Sequence, residues 1–396
     1  MRILLYGGSF NPPHLGHVDA VRAALAHGWA EKVIVMPTAE SPHKPLPLLS
    51  PTAEERYRLC RLAFAEFPEA EVSDLELRRG GVSYTSETVD TVQELNPNDE
   101  VGFLMGTDMF LTLESWHEYE ELFEDTHILV LPRGEHELDM LRQKAAEYAL
   151  RYHWLIQIIN KTPLELSSTE VRRALPERSG VKLLGEEVYA EIIRRRFYGA
   201  KPDLHWLRER AYAMLKPRRI PHVQGCEEMA VAMAECWRED KGRAAEAAIL
   251  HDCTKRLSGE EHLALCEKYA IPIDETERNN EQLLHSKTGA CVARDFFGVD
   301  EGIASAIFWH TTGRPHMTPL EKILYLADAA EPNRDYPGVE KLRKLCFEDL
   351  DGAMILGLRM SLDTVKKRGQ KTHEMSRRAL SSLLKEEDNS DECKKK

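Results

Sequence analysis

The sequence predicts two folds in one chain, a doubly wound α/β unit followed by an all-α unit. Three observations carry this. A chain of 396 residues exceeds the roughly 100–200 residues of a typical domain. Before about residue 200, short apolar runs alternate with amphipathic stretches. After Tyr198-Gly199-Ala200-Lys201-Pro202, whose glycine and proline break the pattern, strand-like runs cease and helical periodicity takes over.

Taken in order, Ile3-Leu4-Leu5-Tyr6, Val33-Ile34-Val35-Met36, Val101-Gly102-Phe103-Leu104-Met105 and Ile128-Leu129-Val130-Leu131 are almost wholly apolar. Such runs suit strands buried on both faces of a parallel sheet. Val18, Val21 and Leu25 recur at helical spacing after the first run, and Arg56–Phe67 and Thr88–Leu95 continue the alternation. In the second half, Val223, Cys226, Met229, Ala230, Met233 and Trp237 mark one helix face. Ala244–Leu257, Ser286–Phe297, Gly302–His310, Pro319–Ala330 and Asp349–Lys367 continue in the same style. The boundaries expected are 1–198 and 203–384, with 385–396 a polar tail expected to be disordered.

Composition narrows the function classes. Lys plus Arg number 53 against 66 Asp plus Glu, a net charge of −13, which argues against nucleic-acid binding by counterion release. Hydrophobic content of 42% with 30% charged residues describes a globular protein. No apolar run approaches the roughly 18 residues that span a membrane, and the N-terminal apolar stretch is too short for a signal peptide, so a cytoplasmic location is expected. The eight cysteines, Cys60, Cys226, Cys236, Cys253, Cys266, Cys291, Cys346 and Cys393, contain no C-x-x-C pair and read as small residues of a reducing compartment.

Gly7-Gly8-Ser9-Phe10-Asn11-Pro12-Pro13-His14-Leu15-Gly16-His17 follows the first strand and opens the first helix. There, glycine N–H groups and a helix N-terminus offer donors to a phosphate, and two histidines three residues apart share one side. Further on, Ser167 with Glu170 forms a capping box. Ser168, Thr169 and Arg172 therefore stand in the first turn of a helix, and the guanidinium fork matches phosphate oxygens.

With Ser41-Pro42-His43-Lys44, Ser83-Tyr84-Thr85 and Gly106-Thr107-Asp108, these pieces resemble the H-x-G-H nucleotidyltransferases, and among them the nicotinate mononucleotide adenylyltransferases, over almost all of residues 1–198. Glu87 and Pro132-Arg133-Gly134 depart from the family pattern, where Asp and Arg-Pro-Gly are common. The resemblance implies a Rossmann-like fold and adenylyl transfer from ATP, with magnesium, to nicotinate mononucleotide. His14, His17 and Arg172 would be catalytic. Gly7, Gly8, Ser9, Phe10, His43, Lys44, Thr85, Gly106, Asp108, Trp116, Arg133, Ser168 and Thr169 would contact substrate or ATP. Trp116 taken alone reads more often as a core residue. A phosphate nucleophile arrives ionised, so positioning and charge neutralisation suffice for catalysis.

In the helical half, His222, His251-Asp252, His285, His310 and Asp328 punctuate apolar stretches. Their spacing suits ligands from five successive helices converging on a bundle core. Imidazole and carboxylate without thiolate favour iron, manganese or another first-row ion over structural zinc. Together with Lys255 and Glu331-Pro332-Asn333-Arg334, this half resembles the HD-domain phosphohydrolases, most closely the bacterial family that cleaves dinucleoside tetraphosphates symmetrically. The resemblance implies two first-row metal ions, iron expected, held by those six residues, with Asp252 also catalytic. A metal pair makes water nucleophilic near neutral pH. Lys255 and Arg334 read either as polyphosphate contacts or as surface charges. Other substrates for the same folds stay open: phosphopantetheine or nicotinamide mononucleotide in front, guanosine polyphosphates or deoxynucleotides behind. One half acting as a nucleotide-sensing module also stays open.

Overall fold

The computed structural model describes residues 1–40, 46–123, 126–161 and 163–394. Two compact units divide the chain, Met1–Lys201 and Pro202–Lys396.

The first unit is built on six parallel strands, β1 (Arg2–Gly8), β2 (Lys32–Pro37), β3 (Ala70–Val72), β4 (Glu100–Gly106), β5 (His127–Leu131) and β6 (Leu155–Ile158), in the order β3-β2-β1-β4-β5-β6. The four apolar runs are the four inner strands. Alternate residues feed two cores: Leu5, Val101, Phe103 and Ile128 pack on one face, and Leu4, Val33, Leu104 and Leu129 on the other. The two edge strands, β3 and β6, escaped the sequence pattern because they are three or four residues long and each carries a polar residue, Glu71 or Gln157. An edge strand need not be apolar on both faces. After β1 the chain turns to β2 on one side and later returns to β4 on the other. Ligands of open parallel sheets bind in the crevice at such a reversal. Here it is framed by Gly7-Gly8 and Gly106, at the ends of β1 and β4.

The second unit is helical. His222 lies on the helix Ile220–Cys236 and Asp328 on Pro319–Ala330. His285 lies in the first turn of Leu284–Phe297. The expected helix Ala244–Leu257 ends at Leu250 instead, and His251-Asp252 stand in the turn after Lys241–Leu250. His310 likewise follows Glu301–Trp309. The five contributing helices are not successive, because Gly259–Lys268 and Glu275–Arg278 intervene.

The polar segment from Lys385, expected to be disordered, continues the last helix, Glu374–Lys394. Ala379 and Leu383 of that helix are buried, and Glu374 pairs with Arg378 four residues on at 2.9 Å. No described helix is long and apolar enough to cross a membrane.

Candidate active sites

The first unit holds a cavity of about 950 Å³ at the strand reversal. Its wall includes Gly7, Gly8, Ser9, Phe10, His14, His17, Thr85, Gly106, Asp108, Trp116, Arg133, Ser168 and Arg172, which brings together nearly all the residues named for this unit. Thr169 is absent from the wall; its hydroxyl instead accepts from Arg172 Nη2 at 3.0 Å. His43 and Lys44 lie outside the described residues.

His14 caps the helix Leu15–His27, and its backbone N–H donates to His17 Nδ1 at 3.2 Å. The two rings lie 3.7 Å apart, centroid to centroid. Gly16 makes this possible: a Cβ there would stand 2.9 Å from the Leu164 carbonyl oxygen and 3.1 Å from the His14 ring. Burial pushes His14 down to about 4, against a weak opposing pull from Glu170. Burial and the neighbouring His14 hold His17 well below its ordinary value too. Both rings are therefore neutral near pH 7. With Nδ1 engaged as an acceptor, His17 keeps its proton on Nε2 and presents it as a donor.

The capping box at Ser167 and Glu170 forms as expected. Its helix is tied to the first turn, because Ser168 Oγ donates to the Pro12 carbonyl at 3.0 Å and Arg172 Nη1 to the Asn11 carbonyl at 2.6 Å. Asp108 and Arg133, at the ends of β4 and β5, form an ion pair. Trp116 satisfies both of its readings: it meets Phe103 edge-on at 6.0 Å and also lines the cavity.

Sequence reasoning missed Arg56, which is 1% exposed. It donates to the carbonyls of Ser9 at 2.6 Å, Thr38 at 2.7 Å and Ala39 at 3.1 Å, clamping the turns after β1 and β2. An arginine inside an amphipathic helix looks like surface charge. The one available signal was Arg56 falling on the apolar face shared with Leu59 and Cys60, both buried.

In the second unit the six ligand candidates converge. His251 and Asp252 are fully buried, and His310, His285 and His222 are nearly so. One donor atom each from His222, His251 and Asp328, and from His251, Asp252 and His310, lies within 4.8 Å of the others. His285 Nε2 stands 3.2 Å from Asp252 Oδ1 and 3.2 Å from His310 Nε2.

Backbone contacts fix the tautomers. The Nδ1–H groups of His251, His310 and His285 donate to the carbonyls three residues before them, Ala248, Ile307 and Gln282. His222 Nδ1 meets Glu331 Oε1 at 3.1 Å. Every Nε2 lone pair is thereby turned to the centre, and those of His222 and His251 are buried without a hydrogen-bond partner. His251 Nε2 faces Asp252 Oδ2 at 3.5 Å. Lone pairs aimed at one another and at carboxylates repel unless a cation lies among them, so the donor set fits a divalent metal site.

Burial would raise both carboxyls. A proton on the neighbouring His251, raised well above its ordinary value by Asp252, takes the place of a cation there, and with His285 beside Asp252 and His222 beside Asp328 it holds each carboxyl well below the usual range. Lys255 and Arg334 are not surface charges. Lys255 Nζ lies 3.1 Å from His285 Nε2 and Arg334 pairs with Asp328 at 2.8 Å. Arg219 and Glu331 were missed as site residues: Arg219 pairs with Asp252, and Glu331 buttresses His222. The signal for both was proximity, three residues before His222 and three after Asp328.

The strand order and crevice define a nucleotide-binding α/β unit, and the buried histidine and aspartate centre defines a metal-dependent HD unit. A cytidylyltransferase-like family model matches residues 5–174, and an HD domain model matches 219–333. A probable nicotinate-nucleotide adenylyltransferase of Symbiobacterium thermophilum is 36% identical over 172 residues, 43% of this chain and 82% of that protein. The symmetrical bis(5'-nucleosyl)-tetraphosphatase of Halalkalibacterium halodurans is 37% identical over 186 residues, 46% of this chain and 98% of that protein. A Mycoplasma pneumoniae protein named probable nicotinate-nucleotide adenylyltransferase/Ap4A hydrolase matches across both units, 26% identical over 84% of this chain and 89% of its own length. The chain belongs to the nicotinate-nucleotide adenylyltransferase family through its first unit and to the symmetrical bis(5'-nucleosyl)-tetraphosphatase family through its second.

Proposed function

We propose that the chain is a bifunctional enzyme. The first unit transfers the adenylyl group of ATP to nicotinate mononucleotide, giving deamido-NAD and pyrophosphate. The second cleaves diadenosine tetraphosphate symmetrically to two ADP. The observation that carries this reading is the Mycoplasma relative, whose name joins both activities and whose sequence matches both units in the same order.

In the first unit, His17 Nε2–H and His14 stabilise charge on the phosphates without gaining or losing a proton in the free enzyme. Arg172, tied to the Asn11 carbonyl, holds the triphosphate brought in with magnesium. Gly7 to Phe10 supply backbone donors. Asp108 orients ATP, and Thr85 and Trp116 hold the mononucleotide. The anionic acceptor phosphate then lies in line with the α-phosphorus.

In the second unit, His222, His251, Asp252, His285, His310 and Asp328 would hold two first-row ions, iron being one that suits an imidazole and carboxylate set. Such ions supply Lewis acidity and a nucleophile from water when bound. The histidines are held in one tautomer by their carbonyl and Glu331 contacts. Lys255, Arg219 and Arg334 bind the polyphosphate oxygens. We assign the enzyme to the cytoplasm, which suits its nucleotide substrates and its free cysteines.

The test is incubation of the purified chain with magnesium, ATP and each candidate mononucleotide, and separately with diadenosine tetraphosphate. Product chromatography should show deamido-NAD in the first case and ADP alone in the second. AMP and ATP in equal amounts from the second would refute symmetric cleavage.

A further inference from the structure

A hydrolase needs a source for its substrate, and the first unit holds chemistry that can make the one read for the second. Three of the carboxylates lining its cavity are engaged. Glu170 accepts from Ser167 N–H and Oγ at 2.9 and 2.8 Å, Asp108 is paired with Arg133, and Glu76 accepts from Thr88 at 2.8 Å. The fourth, Glu165, is exposed to solvent. His17, engaged at Nδ1, offers a ligand its N–H. An acceptor that brings its own anionic oxygen needs no proton removed by the protein, and any terminal phosphate does so.

The terminal phosphate of ATP meets that requirement as fully as the phosphate of a mononucleotide. Selection between them falls to the far end of the acceptor, beside Trp116, and an aromatic face stacks on any base. The cavity, about 950 Å³, is at the upper end of the ~300–1,000 Å³ range of ligand pockets, as a site for two nucleotides side by side must be.

We propose that the first unit also transfers an adenylyl group to a second ATP, and that the second unit removes the product; this rests on the reading of both units given above. A γ-phosphate oxygen of one ATP attacks the α-phosphorus of the other. The bond from that phosphorus to the bridging oxygen of its β-phosphate breaks, and pyrophosphate leaves with the electron pair. The product is diadenosine tetraphosphate. The second unit adds water across the central phosphoanhydride and yields two ADP. In sum, two ATP and one water give two ADP and one pyrophosphate. On this account the hydrolase clears a by-product of the transferase on the same chain.

The test uses the full chain with Asp328→Asn, supplied with magnesium and ATP alone. Diadenosine tetraphosphate and pyrophosphate should accumulate in equal amounts, more slowly than deamido-NAD forms from nicotinate mononucleotide, because ATP forfeits the polar contacts of the mononucleotide pocket. Adding His17→Ala should remove the dinucleotide. The unsubstituted chain should give ADP and pyrophosphate at two to one, and in heavy-oxygen water half of that ADP should carry one label.

A chain that makes deamido-NAD from nicotinate mononucleotide but no dinucleotide from ATP overturns the inference and leaves the transferase reading standing. A chain that makes no deamido-NAD fails that reading itself, and the inference with it. Should the Asp328→Asn chain not fold, the unsubstituted chain decides, and ADP without label or in another ratio to pyrophosphate overturns the inference.

Discussion

The two sites handle phosphate charge in opposite ways. In the first unit the groups that face it are, Arg172 apart, local in sequence and neutral: two buried imidazoles pushed below their ordinary range and a turn of backbone donors, with the charged Arg172 reaching in from the second anion turn. In the second unit the groups are scattered over more than a hundred residues and charged, two carboxylates held ionised by histidines and flanked by Arg219 and Arg334. A turn at the end of a strand can present several donors from consecutive residues. A metal centre needs ligands from several directions, which a helical bundle provides only one or two at a time. The difference predicts that the first site is sensitive to backbone geometry and the second to loss of individual ligands.

The largest effect should therefore follow from removing one ligand. Asp252→Ala takes a fully buried carboxylate from among His251, His285 and Arg219 and leaves their charges and lone pairs uncompensated. Hydrolysis and metal content should both fall below detection while adenylyl transfer survives, as elemental analysis and product chromatography on one preparation would show. Two ions still bound at full occupancy would remove Asp252 from the centre.

For the first site the matching perturbation adds atoms. Gly16→Ala drives a Cβ to 2.9 Å from the Leu164 carbonyl and 3.1 Å from His14, displacing the ring that stacks on His17. Misplacement on the order of 1 Å costs about 100-fold in rate, so kcat for transfer should fall by about that factor with hydrolysis unchanged. An unchanged kcat would mean the His14 position is not critical.

A smaller effect separates ligands from their supports. Glu331 touches the centre through His222 Nδ1 at 3.1 Å. Glu331→Gln should lower metal affinity or hydrolysis by roughly 10–100-fold, the usual cost of losing a group that orients a ligand. A loss as complete as that of Asp252→Ala would make Glu331 a ligand itself.

How much of this was legible follows from the same contrast. The glycine and histidine turn and the Ser167 capping box are contiguous, so their spacing already stated their geometry, and the structure puts both on one cavity. The rear ligands were found as isolated polar residues after apolar runs such as Ala247-Ala248-Ile249-Leu250. That pattern located them but could not tell a helix interior from the turn where His251 caps its helix. Arg56, Arg219 and Glu331 were missed because their roles depend on partners distant in sequence: Ser9, Asp252 and His222. Helical periodicity says which face a residue occupies, and nothing in a local window says that a buried charge has found three carbonyls. The short edge strands β3 and β6 failed for a related reason, since an edge strand is recognised by its neighbour rather than by its own composition.

The neutral imidazoles of the first site give it a pH signature. His14 takes up its proton near pH 4 when folded and near 6.5 when unfolded. The unfolded chain therefore binds the proton first, and the stability tied to neutral His14 is present above about pH 6.5 and lost as pH falls toward 4. The loss approaches roughly 3 kcal/mol, 2.5 pH units at about 1.4 kcal/mol each. Urea unfolding of the full chain and of His14→Gln at pH 7 and pH 4.5 checks this. The first-unit midpoint should drop further with acid in the unsubstituted chain, and equal drops would show that His14 does not titrate as its burial requires.

The smallest effect expected is from cutting the chain. Met1–Lys201 and Pro202–Lys396 are each compact. The first has sheet cores on both faces, and the second holds all six ligand candidates together with Arg219, Glu331 and Arg334. Every residue placed in the transfer site precedes the boundary, and every residue placed in the hydrolytic site follows it. Two fragments cut between Lys201 and Pro202 should accordingly fold separately, each keeping kcat/KM for its own reaction within about twofold, as expected of domains with cores of their own. The mixed fragments should also convert ATP to ADP and pyrophosphate as the intact chain does, since a released dinucleotide can diffuse from one to the other. Soluble, folded fragments that had each lost activity would show that the sites depend on one another, and the contrast drawn between them would then describe two parts of one machine.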